Sequence, residues 1–230
     1  MSETTQAPVE TPQINSSRLL MAMGSVGFIA GILIVFTFQF TLPIIKANEK
    51  AYLDQSIFEV VPNTAYKKVF TPDKNGVLTP IAEDSEEPYK IFACYDKEHK
   101  LTGVVVEASG QGFQDVIRLI YGYDPQKQAV IGMKVLQSTE TPGLGDKIIT
   151  DTKFLSNFAH LDVSLDESGE RLKAPITLIK GPRENDHQIS AITGATISSR
   201  AVTRMIARST AINIPLIYKN LKVLEEAGNE

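Results

Sequence analysis

The sequence predicts an α+β protein, with one membrane-spanning helix near the amino terminus followed by one domain with a mainly antiparallel sheet. Three observations predict this class. Residues 19–42 are apolar and uncharged, residues 89–136 contain short β-like runs separated by turn residues, and helical patterns follow only after those runs. Strands followed by helices, without regular alternation, are typical of α+β folds.

Composition excludes several classes of function. The 230 residues include 23 Lys+Arg and 27 Asp+Glu, with a formal net charge of −4, and no long basic run occurs. Nucleic-acid binding requires a basic surface, so no nucleic-acid partner is expected. Cys94 is the single cysteine, and His99, His160 and His187 are scattered. No metal site or internal disulfide is therefore predicted.

The apolar run at residues 19–42 is long enough to cross a bilayer. As a helix it would measure about 36 Å, against a hydrocarbon core of about 30 Å. A cleaved signal peptide is the alternative, but its apolar region is shorter, at about 7–15 residues, and no small-residue cleavage site follows here. We expect an uncleaved helix at residues 19–42, preceded by a disordered tail at residues 1–18.

The charges that flank this helix do not decide its orientation. Arg18 lies on one side, and Lys46 and Lys50 lie on the other. The positive-inside rule therefore gives no answer. Gly27 and Gly31 are spaced so that a second membrane helix could approach closely, but glycine is also common in membrane helices. Both interpretations of these glycines stay open.

The segment after the helix is divided into a connector and a domain. Residues 47–88 contain four prolines, so we expect an irregular connector with short strands at best. Residues 89–230 form the predicted domain. Its sheet is predicted from two hairpins, in which polar turns join apolar strands. The paired strands are residues 89–95 with 101–107, and residues 116–123 with 129–136.

Two helices are predicted beyond the strands. The first extends from about Thr150 to Ala159, with Asp151 or Thr152 as its cap. The second extends from about Gly194 to Asn213 and ends before Pro215. A short β-branched run at residues 176–179 lies between them. The apolar residues expected on the buried sides are Phe154, Leu155 and Phe158 in the first helix, and Ile197, Ala201, Val202, Met205 and Ile206 in the second.

Common catalytic signatures are absent from the sequence. The segment that begins at Ser109 and ends at Gly112 lacks the third glycine of a dinucleotide fingerprint, and neither a P-loop nor a nucleophile elbow occurs. Cys94 lies in an apolar β-like run, so we expect a small buried residue rather than a nucleophile. No catalytic acid, base or nucleophile is assigned.

Two glycine-containing loops are candidate binding elements. Residues 140–147 (Glu-Thr-Pro-Gly-Leu-Gly-Asp-Lys) contain two glycines, which allow close backbone approach to a flat or anionic group. An ordinary turn is the alternative. In residues 193–199, Thr193 occupies an N-cap-like position and Thr196 lies in the first turn of the second helix, where free N–H groups favour a phosphate. A plain Ser/Thr cap is the alternative there.

Together these loops resemble a known family. Thr193, Gly194, Ala195 and Thr196 resemble the flavinylation motif of the FMN-binding domain that is shared by the G subunit of the Rnf electron-transport complex and the C subunit of the sodium-translocating NADH:quinone oxidoreductase. Residues 140–145 are similar to its second hallmark, the loop beside the isoalloxazine ring. The resemblance extends over nearly the whole chain, including the amino-terminal helix and the glycine-aromatic stretch at residues 110–113.

The resemblance implies a cofactor and a way of holding it. FMN is expected to be joined covalently to Thr196 through a phosphoester bond that a dedicated flavin transferase installs. One departure from the family pattern is Ser190, which stands six residues before Thr196 where the family has aspartate. The binding residues that the resemblance implies are Glu140, Thr141, Pro142, Gly143, Leu144, Gly145, Lys180, Thr193, Gly194, Ala195 and Thr196.

The resemblance also implies a function. Asp146 and Lys147, with the Ile-Ser-Ser-Arg-Ala that follows Thr196, are more similar to the Rnf member of the family. An electron-relay subunit of an ion-translocating ferredoxin:NAD oxidoreductase complex is therefore expected, with other membrane subunits as partners. The flavin domain is expected on the periplasmic side of the inner membrane. The alternatives are the C subunit of the quinone reductase, a flavoprotein reductase outside any complex, and a membrane-anchored scaffold without a redox role.

Overall fold

A computed structural model describes residues 16–229 of the chain. The chain divides into two units, Met1–Lys50 and Ala51–Glu230. Helix α1, Ser16–Val60, contains the apolar run, whose side chains are exposed. Length and composition make it a candidate membrane helix.

Two boundaries predicted around this helix are wrong. Residues 16–18 are helical rather than part of a disordered tail, and residues 1–15 of that tail lie outside the described residues. The helix also continues beyond residue 42, through Pro43, to Val60. Residues 44–60 contain no Gly or Pro to end the helix, and Ile57 and Val60 are buried against the sheet, which stabilises the extension.

A seven-stranded antiparallel sheet forms the centre of the second unit, with the order β2-β1-β3-β4-β5-β6-β7. Both predicted hairpins are present within it, with β3 paired to β4 and β5 paired to β6. The mainly antiparallel sheet is therefore confirmed. The strands are β1 (Tyr66–Pro72), β2 (Leu78–Ile81), β3 (Ile91–Tyr95), β4 (Leu101–Gln111), β5 (Val116–Asp124), β6 (Ala129–Gln137) and β7 (Leu161–Asp162).

The predicted connector is part of this fold. Residues 47–88 supply the end of α1 and both β1 and β2, so they do not form a separate irregular segment. Residues 51–60 lie against one face of the sheet. A Cβ atom added at Gly122 or Gly132 would lie only 2.8 or 2.7 Å from the carbonyl oxygen of Val60. These two glycines therefore allow the helix end to contact the sheet backbone.

Alternate residues of the central strands face two separate cores. Val104, Val106 and Tyr121 belong to the larger cluster, which includes the buried side of the long carboxy-terminal helix. Val105 and Ile120 belong to the smaller cluster, together with Ile57 and Val61. Cys94 is fully buried in the smaller cluster, and burial raises the pKa of its thiol to about 12. A structural cysteine was expected and is found.

The helices after the sheet differ from their predicted bounds. The first prediction is replaced by two short helices, α2 (Lys147–Thr150) and α3 (Thr152–Ser156), and Asp151 caps α3 by accepting from the Phe154 N–H at 2.9 Å. Strands β8 (Thr177–Ile179) and β9 (Gln188–Ser190) form a small parallel sheet. Helix α4, Thr196–Lys219, continues through Pro215, and α5, Leu221–Ala227, follows it.

Candidate functional site

Glu140 brings together three segments that are distant in sequence. Its side chain is only 5% exposed. One carboxylate oxygen accepts hydrogen bonds from the Phe113 N–H at 2.7 Å and the Gln114 N–H at 3.1 Å, and the other accepts from the Ser198 hydroxyl. We call these four residues the Glu140 node. It joins the β4–β5 turn, the loop at residues 140–147 and the first turn of α4.

The loop at residues 140–147 is a tight turn built on one carbonyl. The carbonyl oxygen of Thr141 accepts from the N–H groups of Leu144 at 3.2 Å and Gly145 at 3.0 Å. Gly143 has a φ of +75°, which favours glycine, and open space surrounds its Cα. Gly145 differs, because a Cβ there would lie 2.6 Å from the Glu140 carboxylate. The first glycine shapes the turn, and the second makes room for the node.

The start of α4 is capped differently from the prediction. Ala195, not Thr193, occupies the N-cap position, and its side chain makes no cap hydrogen bond. The Ser199 hydroxyl instead accepts from the Ile192 N–H at 3.1 Å and donates to the Ala195 carbonyl at 2.9 Å. Gly194 precedes the helix with a φ of +86°, which reverses the chain before the first turn.

Four hydroxyl groups lie around this helix start, and two of them are engaged. Ser198 donates to Glu140, and Ser199 closes the cap. Within residues 16–229, the hydroxyls of Thr193 and Thr196 form no internal hydrogen bond. Thr193 is exposed and Thr196 is half-buried. Thr196 therefore presents a free hydroxyl in the first turn of the helix.

Backbone donors lie beside that hydroxyl. The first intrahelical hydrogen bond of α4 is donated by the Ser199 N–H to the Ala195 carbonyl at 3.0 Å. The N–H groups of Thr196, Ile197 and Ser198 precede it and are the orphan donors of the helix start. Such donors, with the positive end of the helix dipole, favour an anion such as a phosphate.

Exposed apolar side chains surround the Glu140 node, one from each of its three segments. They are Phe113, Leu144 and Ile197, which are 60%, 52% and 52% exposed. Ile197 was predicted on the buried side of the helix, and that prediction is wrong. The helix instead buries Ser198 and Ser199, whose hydroxyls serve the node and the cap, and this rotates Ile197 outward.

A cleft of about 680 Å³ adjoins Thr193. Lys147, Lys153 and Arg183 line it together with Asp151, so its lining carries more positive than negative charge. Asn157 lies at its wall and binds the backbone of Ser190 from both sides, because its side chain accepts from the Ser190 N–H at 3.0 Å and donates to the Ser190 carbonyl at 3.4 Å. The Asn157 side chain therefore fixes the backbone of Ser190, in the segment that leads to the start of α4.

The structure brings together most of the predicted site residues but not all of them. Glu140 and the helix start are joined through the node, whereas Lys180 is exposed at the end of β8, and within the described residues it makes no hydrogen bond or ion pair with either loop. Ser198 and Asn157 were not predicted as site residues. The helical spacing that placed Ile197 inward hid Ser198, and no sequence motif marks Asn157.

The chain is similar in sequence to an FMN-binding domain and to named members of oxidoreductase complexes. Residues 112–211 match the FMN-binding domain family, and this span contains both loops. The G subunit of the ion-translocating oxidoreductase complex of Buchnera aphidicola is 25% identical over 212 residues, 91% of this chain and 93% of the relative. The G subunit of Methanosarcina acetivorans is 28% identical over 187 residues, 81% and 88% of the two chains. The G subunit of the proton-translocating ferredoxin:NAD(+) oxidoreductase complex of Clostridium ljungdahlii is 29% identical over 179 residues, 77% and 80%.

Solved structures share the fold. NqrC of Shewanella oneidensis has a TM-score of 0.55 at 21% identity and covers 75% of this chain and 88% of its own. The C subunit of the Na(+)-translocating NADH-quinone reductase of Parabacteroides distasonis has a TM-score of 0.51 at 19% identity, covering 66% and 78%. The solved structures confirm the α+β fold that the sequence predicts, and the sequence matches confirm the resemblance.

Proposed function

We propose that this chain is an electron-relay subunit of a membrane-bound, ion-translocating ferredoxin:NAD oxidoreductase complex of the Rnf type, and that it carries FMN bound covalently to Thr196. The relatives with this architecture are named as subunits of such complexes, and both loops lie within the FMN-binding match. The candidate membrane helix supports a membrane location.

The free hydroxyl of Thr196 is the observation that carries the attachment site. A phosphoester forms when the Thr196 oxygen attacks the FMN-side phosphorus of a flavin dinucleotide, the P–O–P bond breaks, and a nucleoside monophosphate leaves with the hydroxyl proton. The product has the mass of the chain plus FMN less water. Attachment at Thr196 breaks no internal hydrogen bond, whereas attachment at Ser198 or Ser199 would break the node or the cap. The orphan N–H groups of the same turn are donors for the remaining phosphate oxygens.

The residues around Thr196 fit the rest of FMN. A Cβ atom added at Gly143 or Gly194 would meet no heavy atom within 4 Å, so the backbone is open to a ligand at both glycines. Phe113, Leu144 and Ile197 offer apolar surface for the ring. FMN supplies the electron-transfer chemistry, and the protein supplies position and electrostatics. The proposed binding residues are those predicted: Glu140, Thr141, Pro142, Gly143, Leu144, Gly145, Lys180, Thr193, Gly194, Ala195 and Thr196.

Lys180 enters this proposed set through the resemblance. Ile179, which precedes it, pairs with Ser190 across the small sheet. This pairing supports the proposal because the residue before Lys180 is paired with the segment that leads to Thr196. No catalytic acid or base is part of the proposal, because electron transfer through a bound flavin requires none.

We propose that the flavin domain lies on the periplasmic side of the inner membrane and that a flavin transferase attaches FMN there. A covalent bond prevents loss of the cofactor by dissociation. Two engineered cysteines test the location, Lys222→Cys on exposed α5 and Ser2→Cys at the other end. An impermeant thiol reagent added to spheroplasts should label only Lys222→Cys, since native Cys94 is buried. Labelling of Ser2→Cys alone would contradict this location.

Intact-mass measurement of the full chain, co-expressed with a flavin transferase, tests the attachment. The wild-type chain should carry the mass of FMN less water and fluoresce in a denaturing gel, and Thr196→Ala should do neither. Thr193→Ala is the matched control, because its hydroxyl is also free, and it should keep covalent FMN. Covalent FMN on Thr196→Ala would disprove the assignment, and an unmodified wild-type chain would favour the scaffold.

Purification from the native membrane separates the remaining alternatives. Proteins with ferredoxin-dependent NAD⁺ reduction should copurify with the tagged full chain. Copurification with a quinone-reducing NADH dehydrogenase would instead identify the quinone-reductase member of the family. A flavinylated chain that purifies alone and reduces an acceptor would identify a free-standing reductase.

A further inference from the structure

Strand β4 extends beyond one of its neighbours and leaves an open sheet edge. Pairing between β3 and β4 ends at Ile91 with Val106, whereas pairing between β4 and β5 continues to Gln111 with Val116. Within residues 16–229, no backbone hydrogen bond satisfies the side of residues 107–111 that faces away from β5. We call residues 107–111 the open edge. Such an edge is a template for pairing with another strand.

Two clefts flank the open edge. A cleft of about 820 Å³ lies between the open edge and α4, and Arg204, Met205 and Arg208 line it. A cleft of about 470 Å³ lies beside the same residues and is lined by Leu53 of α1. Tyr89 lines both. Because alternate side chains of a strand point to opposite faces, an added strand would place its side chains in the two clefts by turns.

The larger cleft contains buried polar atoms without partners. Asn213 is only 4% exposed, its amide nitrogen donates to the Ser209 hydroxyl at 3.0 Å, and its carbonyl oxygen has no partner within the described residues. The Tyr89 hydroxyl is likewise buried and unpartnered. Burial raises the pKa of Tyr89, so this hydroxyl remains a donor at neutral pH. One acceptor and one donor beside this cleft are therefore unsatisfied by the described residues.

The charge on the rim of this cleft indicates the character of the ligand. Arg204 and Arg208 lie one helical turn apart on α4, and both are exposed. In the part of the chain that the structure describes, neither has a carboxylate within ion-pair distance. An acidic side chain placed between them would gain charge-assisted hydrogen bonds. The one carboxylate in the lining of this cleft, Glu107, is already paired with Arg118 at 2.7 Å, so a basic segment would find no unpaired acid there.

We propose that an extended, acidic segment of another protein of the complex binds as an additional strand along the open edge, in the position that β3 vacates beyond Ile91. Its backbone pairs with residues 107–111, and an acidic side chain contacts Arg204 and Arg208. This inference rests on the proposed function only for the source of the segment, which is a neighbouring member of the oxidoreductase complex.

Hydrogen exchange of the full chain tests this pairing. Peptides that cover residues 107–111 are compared between the detergent-solubilised chain alone and the purified complex. Amides on the open side should exchange rapidly in the isolated chain and at least about tenfold more slowly in the complex. Amides of the β5–β6 ladder are the internal reference and should be slow in both. Equal exchange of residues 107–111 in both samples would overturn the proposal.

Charge variants test the character of the segment. The double variant Arg204→Glu with Arg208→Glu should lose the protection in the complex, and Lys222→Glu, an exposed control on α5, should retain it. Unchanged protection in the double variant would overturn the acidic contact. Protection already present in the isolated chain, together with a dimer in analytical ultracentrifugation, would assign the edge to a second copy and overturn the proposal.

The same samples separate this inference from the proposed function. Covalent FMN on the chain, read by intact mass, bears on the function alone. A flavinylated complex with unprotected residues 107–111 would contradict only the added strand. A protected edge on a chain without FMN would contradict only the relay.

Discussion

Replacement of Glu140 by alanine should weaken both the fold and the flavin site, and the structure gives the magnitude. The substitution removes the acceptors of two backbone N–H groups, from Phe113 and Gln114, and of the Ser198 hydroxyl. Each buried donor left without a partner costs about 1–3 kcal/mol. Part of the loss is relieved by water at the exposed Gln114, so we expect about 3–5 kcal/mol in total. For a chain of this size, that lowers Tm by about 6–20 °C.

Two variants make this expectation specific. Glu140→Gln keeps the shape and one carbonyl acceptor but loses the charge, so it should cost about 1–2 kcal/mol. Gln114→Ala is the matched control, since it removes only the exposed hydrogen bond to the Thr141 hydroxyl at 3.0 Å and should change stability by less than about 0.5 kcal/mol. Circular dichroism melting of the full chain in detergent measures the three Tm values, which should fall in the order Gln114→Ala, Glu140→Gln, Glu140→Ala.

The visible spectrum of the covalent FMN is a second measurement on the same variants. Because the node fixes the loop against the first turn of α4, its loss should alter the visible spectrum of covalent FMN while the bond to Thr196 remains. A Tm within about 2 °C of wild type in Glu140→Ala, with an unchanged flavin spectrum, would refute the reasoning that the node holds the three segments together.

Three further expectations follow from local geometry. Gly145→Ala should disturb the node and lower the Tm through lost Glu140 hydrogen bonds, whereas Gly143→Ala should cost only about 1 kcal/mol of backbone strain and leave the node intact; a larger fall in Tm for Gly143→Ala than for Gly145→Ala would contradict the distinction. Gly132→Ala places a Cβ atom 2.7 Å from the Val60 carbonyl oxygen and should lower the free energy of unfolding by about 1–3 kcal/mol in denaturant titration. Desolvation raises the pKa of Asp162, but hydrogen bonds from the serine two residues later outweigh it, so the pKa lies below its ordinary value of 3.8. The ionised Asp162 carboxylate therefore contributes its full share of the free energy of unfolding above pH 3.8, and this share is lost as the pH falls through the folded pKa. The Tm difference between wild type and Asp162→Asn should accordingly be present at neutral pH and vanish in strong acid.

Much of the sheet was predictable because its strands are marked by local signals. The two central hairpins carry apolar runs separated by polar turns, and their ends were predicted to within two residues, except that β4 continues four residues beyond its predicted end. Strands β1 and β2 were expected only as short strands in an irregular connector, because proline suggested irregular structure, and their place in the central sheet was not predicted. The structure explains why proline is tolerated there: Pro72 is the last residue of β1, and Pro80 lies in β2, which is an edge strand.

The end of α4 was missed for a related reason. Proline normally ends a helix because it lacks an N–H group and clashes with the preceding turn. Here Ile214, Pro215 and Ile217 are all buried against the sheet core. The burial of these side chains outweighs the local cost of the proline, and such packing cannot be read from the residues of one helix alone.

The site was predictable as two motifs, but the connection between them was not. Glu140 and Ser198 lie 58 positions apart in sequence, and only the fold places their side chains in contact. From the sequence alone, a glutamate near a proline is interpreted as a solvent-exposed loop residue. A serine just after a helix start is interpreted as a capping residue. Their pairing in the core makes the position of Thr196 depend on the loop at residues 140–147.

Ser190, the departure from the family pattern, can be interpreted in the same terms. The backbone of Ser190 is bound on both sides by Asn157, and Ile179 pairs with it across the small sheet. The course of the chain toward Thr196 is therefore set by main-chain contacts that any side chain at position 190 would keep. The side chain itself lines the basic cleft beside Thr193. An aspartate there would add negative charge near Lys147 and Arg183, so Ser190→Asp should change how the cleft binds a charged partner and leave the position of Thr196 unaltered.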